Sequence, residues 1–490
     1  MSSTILGSKM PALFQGISFG ADPFGFLAKQ HQQFGAVFKI KLPGDPGRVV
    51  LCDPEDIKKV FELSPSDTQS HDLPVHFNFG QQFILFQDGA THTEGRRFLS
   101  PPLQERRLSK YGDFMLQETS ELIDSLEIGA VTPFVPLLDH LALSIISRCI
   151  FGAVESEKRA RLHFLINRWA DKTFSVPLFM SAMLFSGFKV RKFLDKHARQ
   201  STTKYGDSQK QSLFIWKELA NIKAEIEDII RMDIDFCRKH PEIDRGDVLA
   251  NLARAKYEDG SHMDTQTLID QIFGMSIAGY HTTSITTSWL LRDILTYPEV
   301  FKKMSEECQT VFGNDRTDSS KIPQLRYIQA VIQESMRLTP ITPVVARTIA
   351  KPMVLGGYTL PAGTHIWPCV SEVQRDPTIW EKPECFQPER FIGTKHSIAE
   401  YFPWGGGRKR CIGASFAIYE MTVIIAEFVR RVTAALPIDS VIKPVYKGTA
   451  IAPSDDLRIL IKAVKPASST MSLNDANACT HAKEKAVCPF

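Results

Sequence analysis

The chain has 490 residues, 43% hydrophobic and 23% charged, the composition of an ordinary globular protein with enough length for a large core. Its 58 basic and 55 acidic side chains leave a net charge of +3, so no bulk electrostatic attraction to nucleic acid is expected. Nine cysteines, Cys52, Cys149, Cys237, Cys308, Cys369, Cys385, Cys411, Cys479 and Cys488, form no C-x-x-C pair, which excludes a zinc site or disulfide framework of the usual kind and suits a reducing compartment.

In chain order, residues 1–26 carry one Lys and are interrupted by Pro11, Pro23 and four glycines. They offer neither the apolar core of a secretion signal nor the span of about 20 apolar residues that crosses a membrane. The runs 37–42 and 48–52 read as two strands joined by the turn 43–47. Helical periodicity dominates from about 92 to 340, with a long helix at 218–237. The stretch 268–295 is too long and too apolar for a surface helix and reads as a helix buried through the middle of the fold. After Arg337 the texture turns to strand and loop, notably over 353–368, and a second apolar helix occupies 414–432. Neither a repeat nor a linker divides the chain, so residues 1–465 are expected to form a single domain, mainly α with a small β portion. Residues 466–490 have little to pack and are expected to be a disordered tail. No transmembrane segment is expected, the C-terminus is not a prenylation box, and a soluble, cytoplasmic monomer is the expectation. The apolar segment 176–185 reads as either a lid or a patch for peripheral membrane contact.

Segment 402–420, FPWGGGRKRCIGASFAIYE, concentrates unusual chemistry. Gly405, Gly406 and Gly407 permit backbone conformations and close approaches denied to other residues. Cys411 follows, then Gly413 and a helix. A cysteine at a helix N-terminus beside Arg408, Lys409 and Arg410 is expected to favour the thiolate, a ligand suited to iron. Two other readings stand beside this one: a buried structural cysteine, or a phosphate loop, although the G-x-x-x-x-G-K-[ST] spacing is missing.

The run Gly405-x-Gly407-x-x-x-Cys411-x-Gly413, continued by Ala417 and Glu420, resembles the cysteine loop of the cytochrome P-450 superfamily. Trp404 stands where that family usually has Phe, and Lys409 where it usually has an Arg paired with a haem propionate. Further segments occur in the family's order. Glu334-x-x-Arg337 is weak by itself, because the same spacing recurs at Glu94/Arg97, Glu242/Arg245 and Glu427/Arg430. With Arg390 of FQPERF, the resemblance implies a buried Glu–Arg–Arg network behind the haem loop. In the buried helix, Ala278-Gly279-Tyr280-His281-Thr282-Thr283 resembles the oxygen-binding groove, where Thr282 would help deliver protons. A threonine hydroxyl bonded back to its own helix is the plainer account. His281 replaces the usual acid; it is either a proton relay or a packed ring. His92 and Arg96, at i,i+4 on one helix face, and Arg347, ten residues after Arg337, would reach the propionates by the same resemblance.

The resemblance covers about residues 30–465 and implies the cytochrome P-450 fold, with a long central helix and cysteine loop enclosing haem b (iron protoporphyrin IX). Cys411 would be the axial iron ligand, with Trp404, Gly405, Gly413 and Lys409 around the cofactor. It implies a monooxygenase that inserts one atom of O2 into an apolar small molecule: a lipid, terpenoid, steroid or polyketide. Electrons would come from a separate ferredoxin-like or flavin reductase attracted to Arg408, Lys409 and Arg410. Substrate contacts would come from 75–86, Phe273 to Ala278, 341–345 and 449–453. Two other classes are weighed: a haem-thiolate isomerase or peroxygenase using peroxide, disfavoured by the intact groove threonine, and a non-catalytic haem gas sensor, for which no regulatory domain is attached.

Overall fold

A computed structural model describes residues 4–467 apart from 44–46, 65, 70–78, 153–155, most of 174–214, 244 and 448–449. Segment 176–185, residues 75–78 of the first substrate loop, Thr449, the centre of the turn at 43–47 and the tail from 468 onward therefore lie outside the described residues.

The N-terminal segment forms two helices, Ala12–Ala21 and Pro23–Phe34. Proline punctuates without destroying them: Pro23 opens the second helix, where its missing N–H costs nothing, and the Asp22 carboxylate accepts a hydrogen bond from the Gly25 amide. The chain then enters the expected hairpin, Val37–Ile40 against Arg48–Leu51, antiparallel with Val37 opposite Leu51. Arg48–Leu51 continues in parallel against His365–Pro368, giving a five-stranded sheet in the order 37–40, 48–51, 365–368, 347–349, 68–69.

Between these halves of the sheet lies the helical body. Its axis is the helix Thr265–Thr296, 32 residues and about 48 Å long. Asp264 caps it by accepting the Thr267 amide at 3.0 Å. Phe134–Phe151 packs along it; that helix alone among the described ones has the length and apolarity to cross a membrane, yet 72% of it is buried inside the fold. Ile215–Lys239, Arg326–Leu338 and Ala414–Arg431 complete the layer around the central helix. The main core runs from Phe79 to Ile461, so it is closed only when both ends of the chain have arrived. A three-stranded sheet, 131–133, 458–464 and 432–435, ties the C-terminal strand to the middle of the chain. A hairpin, Pro444–Lys447 with Ala450–Pro453, leans on the central helix, where the Trp289 indole N–H donates to the Ile451 carbonyl at 2.7 Å. The architecture is mainly helical with a small β portion, as the sequence indicates.

Candidate active site

The cysteine loop owes its shape to its glycines. Gly405 and Gly407 have φ of 69° and 65°, in the left-handed region. Gly406 has an ordinary extended backbone, but a Cβ there would lie 2.2 Å from the Phe61 ring; one on Gly407 would lie 2.1 Å from the Phe61 carbonyl. Phe61 ends the helix Pro54–Phe61, so that helix presses directly on the loop. The Cys411 amide donates to the Trp404 carbonyl at 2.9 Å and closes the loop, and Gly413 caps the helix Ala414–Arg431. Cys411 is accessible although protein surrounds it. That crowding raises its thiol above the ordinary value; the Gly413 amide, Arg410 and Arg96 oppose the shift. Helix end and cations thus favour the thiolate as expected, but in the protein alone desolvation outweighs them. A coordinated metal ion would reverse the balance by deprotonating the thiol outright.

Beside the loop, His92, Arg347, Arg408 and Lys409 line one small cleft together with Phe61 and Gly406. The Arg347 guanidinium donates to the carbonyls of Ala346 at 2.8 Å and Gly406 at 3.1 Å, and burial lowers its pKa to about 10. Lys409 is anchored on the Asp88 carboxylate at 2.5 Å and the Gln87 carbonyl at 3.1 Å. His92 is pushed down to about 4 by burial, then by the charges of Lys409 and Arg96. Arg96, on the same helix, Gly89–Leu99, instead donates to the Arg410 carbonyl at 2.6 Å, on the sulfur side of the loop. Among the described residues, Asp88 is the carboxylate ion-paired within this cationic group. Such a donor set, adjoining an accessible cysteine, fits a flat cofactor that carries carboxylates at one edge and a thiol-ligated metal at its centre. Haem b meets that description.

Between residues 268 and 295 the central helix is buried except at Ala278, Gly279, Thr282 and Arg292. The first three share a face (i, i+1, i+4), so the middle of a core helix keeps one accessible stripe. Thr282 donates its hydroxyl to the Ala278 carbonyl at 2.7 Å. Gly279 is also needed for packing, because a Cβ there would lie 2.8 Å from Ile146 of the neighbouring helix. His281 is buried and turned elsewhere: its Nε2 lies 3.1 Å from the Lys447 carbonyl, to which it donates, and its Nδ1 lies 3.8 Å from Asp139. Asp139 also accepts from Ser284 and lies 4.0 Å from the Lys447 ammonium, which pairs with Asp456 at 2.9 Å.

Behind the loop, Arg337 grips Glu334 through two hydrogen bonds, at 2.7 and 2.8 Å, both side chains fully buried. Arg390 reaches the same carboxylate at 3.2 Å, and the Gln387 amide adds a fourth bond at 2.8 Å. The other E-x-x-R spacings form no such pair: Arg97 turns to Glu258, Arg245 to Asp247, Arg375 to Glu384, and Arg430 to Thr317.

Where the first substrate loop is described, from Phe79 to Phe86, it docks on the central helix. Asp270 and Gln271 accept the amides of Gln82 and Ile84, both at 2.9 Å. Phe79 and Phe83 stack at 5.2 Å, and Phe83 occupies the space a Cβ on Gly274 would need, 2.2 Å from it. Further along, the Ile451 amide donates to the Ile341 carbonyl at 2.8 Å, joining two more of the expected substrate segments. Asp88, Asp139 and Lys447 escaped the sequence reading. Nothing in their local sequence marks them, since their partners are distant in the chain.

Fold and site together fit a haem protein whose metal a cysteine would hold. Comparison with known proteins agrees: the family model described as cytochrome P-450 matches residues 7–459, and the chain belongs to that family. The chain is 26% identical over 472 residues to cytochrome P-450 135B1 of Mycobacterium tuberculosis, covering 95% of this chain and 92% of that one. It is 28% identical over 454 residues to cytochrome P-450 138 of the same organism, covering 92% and 95%. The solved structure of the retinoic acid-bound cyanobacterial CYP120A1 superposes with a TM-score of 0.77 at 19% identity, over 95% of this chain and all of that one. Family membership makes the protein a haem-binding monooxygenase and oxidoreductase.

Proposed function

We propose that this monooxygenase oxidises an apolar small molecule of the lipid, terpenoid, steroid or polyketide kind, with electrons from a separate ferredoxin-like or flavin partner. The observation that carries this reading is the accessible stripe Ala278, Gly279 and Thr282 in an otherwise buried stretch, on a helix against which Phe83, stacked on Phe79, packs at Gly274 one turn earlier. An apolar, aromatic surface interrupted by one hydroxyl suits a substrate held by shape rather than by charge.

Haem, when bound through Cys411, supplies dioxygen activation. The chain supplies the rest. His92, Arg347 and Lys409 would hold the carboxylates of the cofactor, and Lys409 brings its own counter-ion in Asp88. Trp404, Gly405 and Gly413 would shape the wall around it. Thr282 is the proton-handling hydroxyl: its hydrogen is parked on the Ala278 carbonyl, while its oxygen keeps a lone pair for an incoming donor. His281, bonded to the Lys447 carbonyl and 3.8 Å from Asp139, would connect that stretch of helix with half-exposed charges at its far side.

The test is a titration of the holoprotein with fatty acids, terpenes and steroids beside sugars and amino acids, followed by the shift of the haem absorption band. Apolar ligands alone should shift it. Those that do should turn over with O2 and a surrogate reductase; a response confined to polar ligands, or turnover with peroxide alone, would refute the reading.

A further inference from the structure

The first helix, Ala12–Ala21, faces the wrong way for a soluble surface. Leu13, Phe14 and Ile17 are 55%, 56% and 59% exposed, and Met10 and Leu6 just before them 43% and 60%. Leu13, Phe14 and Ile17, at i, i+1 and i+4, share one face of the helix, and Met10 precedes it, exposed as they are. Its polar residue points inward. Gln15 is fully buried, its amide donating to the carbonyls of Ser8 at 3.3 Å and Met10 at 2.7 Å, while its oxygen accepts the Lys41 amide at 3.1 Å. Phe19, on the inner side, packs against Phe26, Trp367 and Tyr446 with ring centroids 5.7–6.0 Å apart. Hydrogen bonds and aromatic packing together pin the helix with its apolar stripe outward, so the exposure is not fraying. The hairpin strand carrying Tyr446 adds exposed Val445, with Val441 close before it.

Exposed cations lie close by: Lys9 next to Met10, Lys41 whose amide binds Gln15, and Lys443 just before the strand 444–447 that contacts this helix. The exposed acid at its end, Asp22, is committed to capping the next helix. A short apolar helix lying flat, with lysines at its margins, has the features of an element that sits in the headgroup region of an anionic bilayer.

We propose that the stripe Leu6, Met10, Leu13, Phe14 and Ile17 is a docking surface for an anionic lipid membrane, on which the folded enzyme rests without spanning it. The proposal is independent of the substrate reading, since it concerns the outer face of the molecule.

Holoprotein is sedimented with vesicles of phosphatidylcholine alone and with vesicles of an equal mixture of phosphatidylcholine and phosphatidylglycerol. Binding should appear with the mixed vesicles and weaken at high salt. The triple variant Leu13→Ser/Phe14→Ser/Ile17→Ser should bind at least about tenfold less, with haem content and thermal unfolding unchanged, because these side chains make few internal contacts. A single variant, Phe14→Trp, reports insertion directly: its emission should shift to the blue with mixed vesicles and be quenched by brominated lipid. Wild-type protein that stays in the supernatant, a triple variant that sediments like wild type, or an unshifted Phe14→Trp emission would each overturn the proposal. So would a dimer dissolved by the triple variant in the absence of vesicle binding, which would give the stripe to a second copy of the chain.

Discussion

Glu420 lies on the helix that leaves Cys411, fully buried, and neither of its carboxylate oxygens has a hydrogen-bond partner. Burial pushes its pKa well above the usual carboxyl range. The folded protein thus holds it neutral, whereas the unfolded chain releases its proton above the ordinary value. Stability from this group is complete below that value and is lost as pH rises, by up to ~1.4 kcal/mol per pH unit until the buried carboxyl itself titrates. Glu420→Gln should flatten the fall of unfolding free energy above about pH 5 in urea titrations; an unchanged slope would show that Glu420 is already ionised in the fold. His281→Ala strips the Lys447 carbonyl of its donor and should cost about 1–3 kcal/mol. It should also raise the electrons consumed per molecule of product, which paired reductant and product assays would measure. The oddity of His281 was legible in the sequence, because it stood in a recognisable motif. Its partner Lys447 is 166 residues away, and no local pattern announces such a contact.

Elements were legible where one periodicity governed a long stretch. The helix at 265–296 betrayed itself by an apolar run too long for any surface, and Ala414–Arg431 by following the glycine loop. Ala12–Ala21 was not legible, because Gly16, Gly20 and the flanking prolines read as interruptions when tertiary packing of Gln15 and Phe19 in fact decides the matter. E-x-x-R occurs five times, and spacing carries no information on burial. Only the copy on Arg326–Leu338 has both side chains fully out of water with a bidentate bond. There, Glu334→Ala strands the Arg337 guanidinium and should cost about 3–5 kcal/mol in chemical denaturation, whereas Glu94→Ala should cost almost nothing. Gly407→Ala meets both an unfavourable φ and the Phe61 carbonyl. It should lower haem retention and stability, by about 1–3 kcal/mol, as read by thermal unfolding of the holoprotein.

At the scale of the whole molecule, a near-neutral total hides local asymmetry. Of the three cations beside Cys411, Lys409 is withdrawn onto Asp88, which corrects the expectation of a three-residue basic patch; Arg408 and Arg410 remain exposed. Reversing both, Arg408→Glu/Arg410→Glu, should slow reduction by an acidic ferredoxin about tenfold or more and remove most of its salt dependence, measured by stopped-flow. The pairing of Arg48–Leu51 with His365–Pro368 has a different consequence, in time rather than space. On the ribosome the first strands emerge about 300 residues before their neighbour, which at ordinary elongation rates is roughly 15 to 60 s. Throughout that interval Val49, Val50 and Leu51 can pair only with 37–40, and a lone two-stranded hairpin is marginal in water. The nascent chain must be shielded by a holdase or stay transiently collapsed, so yield on expression should depend on chaperone supply more than on the stability of the finished fold.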